Sequence, residues 1–225
     1  MGCDTCLAAA LCLPKGLEAE HMAQLNALVQ EKYHLKKGDL LIQPGDVFNG
    51  FYAVKKGVLK SYILDYQGRE QIWGIYLLGE LFGFEGVNTR SFPYYVEALE
   101  DTIVCMIPYE LLMSFTQEMP TLRQQVLKLM SQRFMTDLAL PRNNTAEERV
   151  ASFLLALSLR FERQGLSATQ LQLPLTRQEI ANYLGFTLET VSRVFSRFKR
   201  DNILAVDGKH VTIISLNHLQ QLAAK

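Results

Sequence analysis

The spacing of apolar positions changes character along the chain. From Lys36 to Pro108, short apolar runs are cut by glycine-bearing turns at Lys37-Gly38-Asp39, Pro44-Gly45-Asp46, Lys56-Gly57, Gln67-Gly68 and Leu78-Gly79. The runs between them, FYAVKK, VLKSYIL, QIWGIYLL and DTIVCMI, are rich in β-branched and aromatic residues. Many short strands at close spacing predict a β-sandwich, jelly roll or barrel. Residues 64–68, LDYQG, read as a hairpin loop.

After Pro120 the period becomes helical. Leu127, Met130, Phe134 and Leu138 fall at i, i+3, i+7 and i+11, and a second stripe, Leu122, Val126 and Leu129, lies beside them. Proline disfavours helical geometry in the residue before it, so the helix is expected to end near Pro141, with Arg142-Asn143-Asn144 as a hinge. A capping box at Thr145–Glu148 then opens a helix whose apolar side is Val150, Phe153, Leu154, Leu157 and Phe161.

A second capping box, Thr176–Glu179, starts a short helix that Gly185-Phe186 stops, and Thr187 can cap the next. Two short helices around a glycine turn predict a helix-turn-helix. In the second helix Val191, Val194, Phe195 and Phe198 are the expected core face. Glu189, Ser192, Arg193 and Arg197 share the opposite side at i, i+3, i+4 and i+8. Arg193 can pair with guanine O6 and N7, Glu189 can accept from cytosine N4, and Ser192 can meet a base edge. Arg197, Lys199 and Arg200 follow where a reading helix meets phosphates. A solvated face on a structural helix pair is the bland alternative; the agreement of caps, turn and cationic helix favours DNA. The runs ILAV and KHVTII around Asp207-Gly208 predict a hairpin, making a winged helix that offers Lys209 and His210 to phosphate or holds them for structure alone.

Charge supports two domains. Residues 1–141 carry 12 Lys+Arg against 16 Asp+Glu, and residues 142–225 carry 11 against 7, so a neutral chain has a basic C-terminal part. An apolar share of 48% in 225 residues is that of a folded globular protein. No apolar run reaches the ~20 residues that span a bilayer. LAAALCL lacks a preceding basic segment and runs into Pro14, unlike a secretory signal, so a cytoplasmic protein without membrane contact is expected. The histidines, at 21, 34, 210 and 218, are scattered, and no phosphate-cradling glycine loop or catalytic constellation points to an enzyme.

Cysteine usage is uneven. Cys3, Cys6 and Cys12 stand within ten residues, and Cys105 is the fourth. Four cysteines are too few for a disulfide scaffold in a chain this long. Zinc ligands remain open, and Cys105, between Ile103 and Ile107 in an alternating run, can also be a small buried hydrophobe.

The order of parts resembles the cyclic-AMP receptor protein family of transcription regulators. Residues 175–206, LTRQEIANYLGFTLETVSRVFSRFKRDNILAV, resemble its fumarate–nitrate reduction regulator (FNR) branch, most specifically at Glu189-Thr-Val-Ser192-Arg193. The resemblance implies an α+β fold: a cyclic-nucleotide-binding-like β-roll (jelly roll), a long dimerisation helix and a winged helix-turn-helix. The expected boundaries are 1–14 for the cysteine segment, 15–118 for the roll, 119–141 for the dimer helix and 142–225 for the DNA-binding domain. It implies a 4Fe–4S cluster on Cys3, Cys6, Cys12 and Cys105, in the spacing Cys-x2-Cys-x5-Cys plus one. It implies double-stranded DNA of the TTGAT-N4-ATCAA kind as target, read by Glu189, Ser192, Arg193 and the start of their helix at Thr187. It implies a homodimer through Arg123, Leu127, Met130, Phe134, Asp137 and Leu138. Paired Asp137 carboxylates would weaken that seam, so that cluster and oxygen control dimerisation. RNA polymerase is an expected partner, with the loop Asp65–Glu70 as a candidate contact. The stretch from Ser131 to Glu147 is about one helical turn shorter than usual in that branch. The alternatives are zinc in place of the cluster, or a cyclic nucleotide held by Glu80 and by Arg90-Ser91.

Overall fold

The computed structural model describes residues 2–29, 31–138 and 145–224. The chain divides into two compact units, residues 1–65 with 73–134, and 66–72 with 135–225. Its elements are α1 (Ala19–Leu28), β1 (Glu31–Leu35), β2 (Leu40–Ile42), β3 (Gly50–Lys56), β4 (Leu59–Leu64), β5 (Glu70–Tyr76), β6 (Leu81–Phe82), α2 (Gly86–Thr89), β7 (Tyr95–Ala98), β8 (Thr102–Pro108), α3 (Tyr109–Glu118), α4 (Pro120–Leu138), α5 (Ala146–Arg163), β9 (Gln170–Gln172), α6 (Arg177–Leu184), α7 (Leu188–Arg200), β10 (Leu204–Asp207), β11 (His210–Ile213) and α8 (Leu216–Ala223).

The first unit is the expected roll. Two four-stranded sheets, ordered β1-β8-β3-β6 and β2-β7-β4-β5, enclose one apolar core. The pairings β1–β8, β2–β7, β3–β6, β3–β8 and β4–β7 are antiparallel, and each joins strands that are not consecutive in the chain. Each predicted turn glycine has positive φ. Gly79 is constrained twice over: its φ is +80°, and an added Cβ would lie 2.5 Å from the Cβ of Leu11. The roll therefore accepts the N-terminal segment at a point where no other side chain fits.

The interior of the roll is filled by rings. Tyr76, Phe82, Phe92 and Tyr94 are each about 1% exposed. Tyr76 stacks on Phe82 at 4.4 Å between centroids, and Tyr52 stacks on the same ring at 5.5 Å. Aromatic burial of this kind is among the largest single contributions to a core.

Three helices of this unit were not foreseen: α1, α2 and α3. α3 buries only Leu112 and Thr116, so its periodic signal is thin, and it follows directly on the last strand of the roll, β8. α4 places the stripe Leu122, Val126 and Leu129 against the core. The expected hinge Arg142-Asn143-Asn144 and Pro141 lie outside the described residues.

In the second unit both capping boxes form. The Thr145 amide donates to Glu148 Oε2 at 3.0 Å and the Glu148 amide donates back to Thr145 Oγ1 at 3.3 Å. Thr176 and Glu179 repeat the arrangement at 2.8 and 3.2 Å. Gly185 ends α6 at φ +71°, ψ 34°, a left-handed cap that a β-carbon disfavours. Arg177 lies 3.6 Å from the Phe195 ring centroid and ties α6 to α7; its burial lowers its pKa from the ordinary guanidinium range. The three-stranded sheet β10-β11-β9 follows. Asp207 pairs directly with His210, so the two loop residues are Gly208 and Lys209, one position later than the Asp-Gly turn read from the sequence. Gly208 at φ 56° supplies the positive torsion that a two-residue hairpin loop needs. α8, also unforeseen, packs on α5.

Candidate functional site

Helix α7 is built as its pattern dictates. Thr187 caps α7 by accepting from the Thr190 amide at 3.3 Å. Val191, Val194, Phe195 and Phe198 are buried. Glu189, Arg193, Arg197, Lys199 and Arg200 are exposed, and Ser192 is half-buried. The four-residue face Glu189-Ser192-Arg193-Arg197 is therefore presented outward on one rigid helix.

The cations on that helix differ in their surroundings. Arg197 pairs with Glu147 and, at 3.5 Å, with Asp201. Arg200 lies 3.7 Å from Asp201. Among the described residues no ion pair holds Arg193 or Lys199. Lys209 of the wing donates to the Pro174 carbonyl at 3.1 Å, and His210 is exposed. Glu147 and Asp201 were missed as site residues. Asp201 was legible as an i+4 partner of Arg197; Glu147 was hidden by its place inside a capping box.

The second constellation lies in the first unit. Cys3, Cys6, Cys12 and Cys105 all line one apolar cavity, with Ala8, Leu13, Val29, Ala53, Lys55 and Ile107. Cys105 is held on the central strand β8, opposite Lys32 of β1 and Ala53 of β3. Residues 2–14 close over it. Leu13 and Ala8 are buried, the Cys3 amide donates to Asn26 Oδ1, and Gln125 Nε2 of α4 donates to the Cys12 carbonyl at 2.9 Å. None of the four thiols is in a disulfide.

Desolvation dominates the acidity of Cys3, Cys12 and Cys105. Burial pushes Cys12 up to about 12, against a donated backbone hydrogen bond, with the other three sulfurs adding repulsion. Burial pushes Cys3 up to about 11, reinforced by Cys105 and Cys6 and opposed by Lys32 and Lys55. Cys105 is raised by burial, opposed first by Lys55. These are neutral thiols that feel one another, in a pocket whose nearest charges are cations. A metal group that accepts thiolates reverses that preference and releases protons on binding.

Among the described residues, the group of possible metal ligands whose donor atoms all lie within 4.8 Å of one another is Glu18, Glu20 and His21 at the start of α1. The four thiols share a cavity but do not form such a group.

The groups needed for a cyclic nucleotide are engaged elsewhere. Glu80 Oε2 accepts from the Leu77 amide at 3.0 Å. Arg90 lies 3.4 Å from Glu110 and 5.1 Å from the Tyr109 ring.

The residues expected at a dimer seam lie along α4. Arg123 is exposed, as are Leu127 (60%), Met130 and Phe134 (64%), while Leu122, Val126 and Leu129 face inward. Asp137 and Leu138 lie on the last turn, and their side chains lie outside the described residues.

Comparison with known proteins finds two domain matches. The Crp-like helix-turn-helix domain matches residues 148–222, and the cyclic nucleotide-binding domain matches residues 32–119. The transcriptional activator protein Anr of Pseudomonas protegens is 44% identical over 98% of this chain and 92% of its own length. The fumarate and nitrate reduction regulatory protein of Escherichia coli K12 is 41% identical over 98% of this chain and 90% of its own. The chain belongs to the fumarate and nitrate reduction regulator family. FixK2 from Bradyrhizobium japonicum shares the fold, with a TM-score of 0.76 and 29% identity over 88% of this chain and 99% of that one. As a member of this family the protein is a DNA-binding transcription regulator, on a fold of cyclic-nucleotide-binding β-roll and Crp-like helix-turn-helix. No helix among the described residues is long and apolar enough to cross a membrane.

Proposed function

We propose that the protein is an oxygen-responsive regulator whose Cys3, Cys6, Cys12 and Cys105 hold a 4Fe–4S cluster. The observation that carries this reading is the convergence of all four cysteines of the chain on one cavity. Bound there, such a cluster supplies an oxygen-labile redox group. The chain's own residues convert its presence into form. Cys105 is fixed in the sheet, so ligation of the other three clamps residues 2–14 onto the roll. Gln125, itself 7% exposed, joins that segment to α4 through the Cys12 carbonyl. A change in the thiol segment is thereby felt on the helix that carries the exposed stripe.

That stripe is the proposed dimer seam, formed by Arg123, Leu127, Met130 and Phe134 and continued by Asp137 and Leu138. Two copies place two reading helices about one turn, ~34 Å, apart on a palindrome of the TTGAT-N4-ATCAA kind. Glu189, Ser192 and Arg193 read bases, from the Thr187 start of the helix, while Lys199 and Arg200 meet the backbone. The loop Asp65–Glu70 offers RNA polymerase a surface. A protein that binds DNA and turns over no substrate, in the cytoplasm, is the role these parts suit.

Burying a Phe side chain is worth about 1.5–3 kcal/mol, so Phe134→Glu on both copies should weaken association more than about a hundredfold. Sedimentation of anaerobic protein measures this; association as tight as the parent's would remove α4 from the interface. The cluster itself is tested by analysis of anaerobically purified protein. Four iron and four sulfide per chain are expected; stoichiometric zinc without sulfide would replace the cluster with a zinc site.

A further inference from the structure

The helix that reads DNA carries an arginine that the protein has already engaged. Arg197 lies one turn beyond Arg193 on the outward face of α7, where a basic group meets phosphate. Its side chain is 54% exposed, yet Glu147, from the first turn of α5, and Asp201, just past the end of α7, both pair with it. Glu147, Ser192, Arg193, Arg197 and Arg200 line one open groove beside the reading face. Glu147 is not needed for the capping box, which Glu148 completes. Resting on the reading of this face as the DNA interface, we propose that Glu147 competes with DNA phosphate for Arg197 and so limits the sequence-independent affinity of the regulator.

The magnitudes suit a reversible competitor. An exposed ion pair is worth roughly 0–1 kcal/mol, so Arg197 can exchange partners at little cost. A phosphate contact is worth most at low salt, because it releases condensed counterions. Carboxylate and phosphate both accept a guanidinium fork, so one arginine serves either but not both fully. Phosphate contacts act on every sequence alike, while base contacts act on one. A carboxylate that lowers the first leaves the second as a larger share of binding.

The test uses full-length protein, purified anaerobically, on a random-sequence duplex across a salt series. Glu147→Gln keeps the shape and removes the charge. It should tighten random-duplex binding roughly tenfold per dimer and steepen the slope of log K against log salt by about 2, one phosphate per subunit. In an Arg197→Ala background the same change should do nothing. Unchanged or weaker binding by Glu147→Gln would overturn the proposal. So would an equal gain in the Arg197→Ala background, since that is general charge repulsion and not competition for Arg197. Arg193→Ala on a palindromic duplex runs alongside: an intact palindrome affinity there counts against the reading face itself, whereas its loss beside a silent Glu147→Gln counts against the competition alone.

Discussion

Cys12→Ala should reduce iron and sulfide from four per chain to less than about a tenth of that, and abolish tight palindrome binding with it. Cys12 is the most desolvated of the thiols, held up to about 12 by burial, so its ligation depends most on the metal group itself. The substitution is also informative because it spares the fold. Leu13 remains buried beside it, and the bond from Gln125 goes to the Cys12 backbone carbonyl, which alanine keeps. Loss of cluster then separates from loss of the segment's anchor. Metal analysis with sedimentation on the same sample checks both. Full iron content in Cys12→Ala would remove this thiol from the ligand set.

Arg193→Ala should weaken palindrome binding by roughly 2–6 kcal/mol for the dimer, since one bidentate contact to guanine discriminates by about 1–3 kcal/mol and there are two half-sites. Random-sequence duplex should lose about tenfold or less. Arg193 stands exposed with no ion pair among the described residues, so nothing has to be broken before it reads. Equal losses on both duplexes would make Arg193 a phosphate contact. Competition binding at fixed salt distinguishes the cases, because phosphate affinity varies steeply with salt.

Much of this was legible because local chemistry and global fold agree. The five turn glycines outlined the roll, and each takes the positive φ its turn needs. The two capping boxes and Gly185 marked helix ends to within a residue. Hidden elements share a cause. α3 and α8 bury one or two side chains each, too few for a period to stand out. The wing's register moved by one position because Gly208 serves as the first loop residue and Asp207 pairs in the strand. At the candidate sites, residue types, spacing and resemblance singled out the thiols that share one cavity and the polar face of α7, since these are local signals. What escaped were partners distant in sequence: Gln125 on Cys12, Lys55 beside the thiols, and Glu147 on Arg197, fifty residues away. Such pairs arise from tertiary packing, which no window of sequence contains.

The central claim joins the thiol cavity to the DNA face, and one measurement addresses that join. Anaerobic protein is bound to a TTGAT-N4-ATCAA duplex, air is admitted, and DNA occupancy and cluster absorbance are followed together. The account predicts that both fall with one time course, and that a random-sequence duplex shows no specific complex at any time. Palindrome occupancy that persists after the absorbance has gone would contradict it.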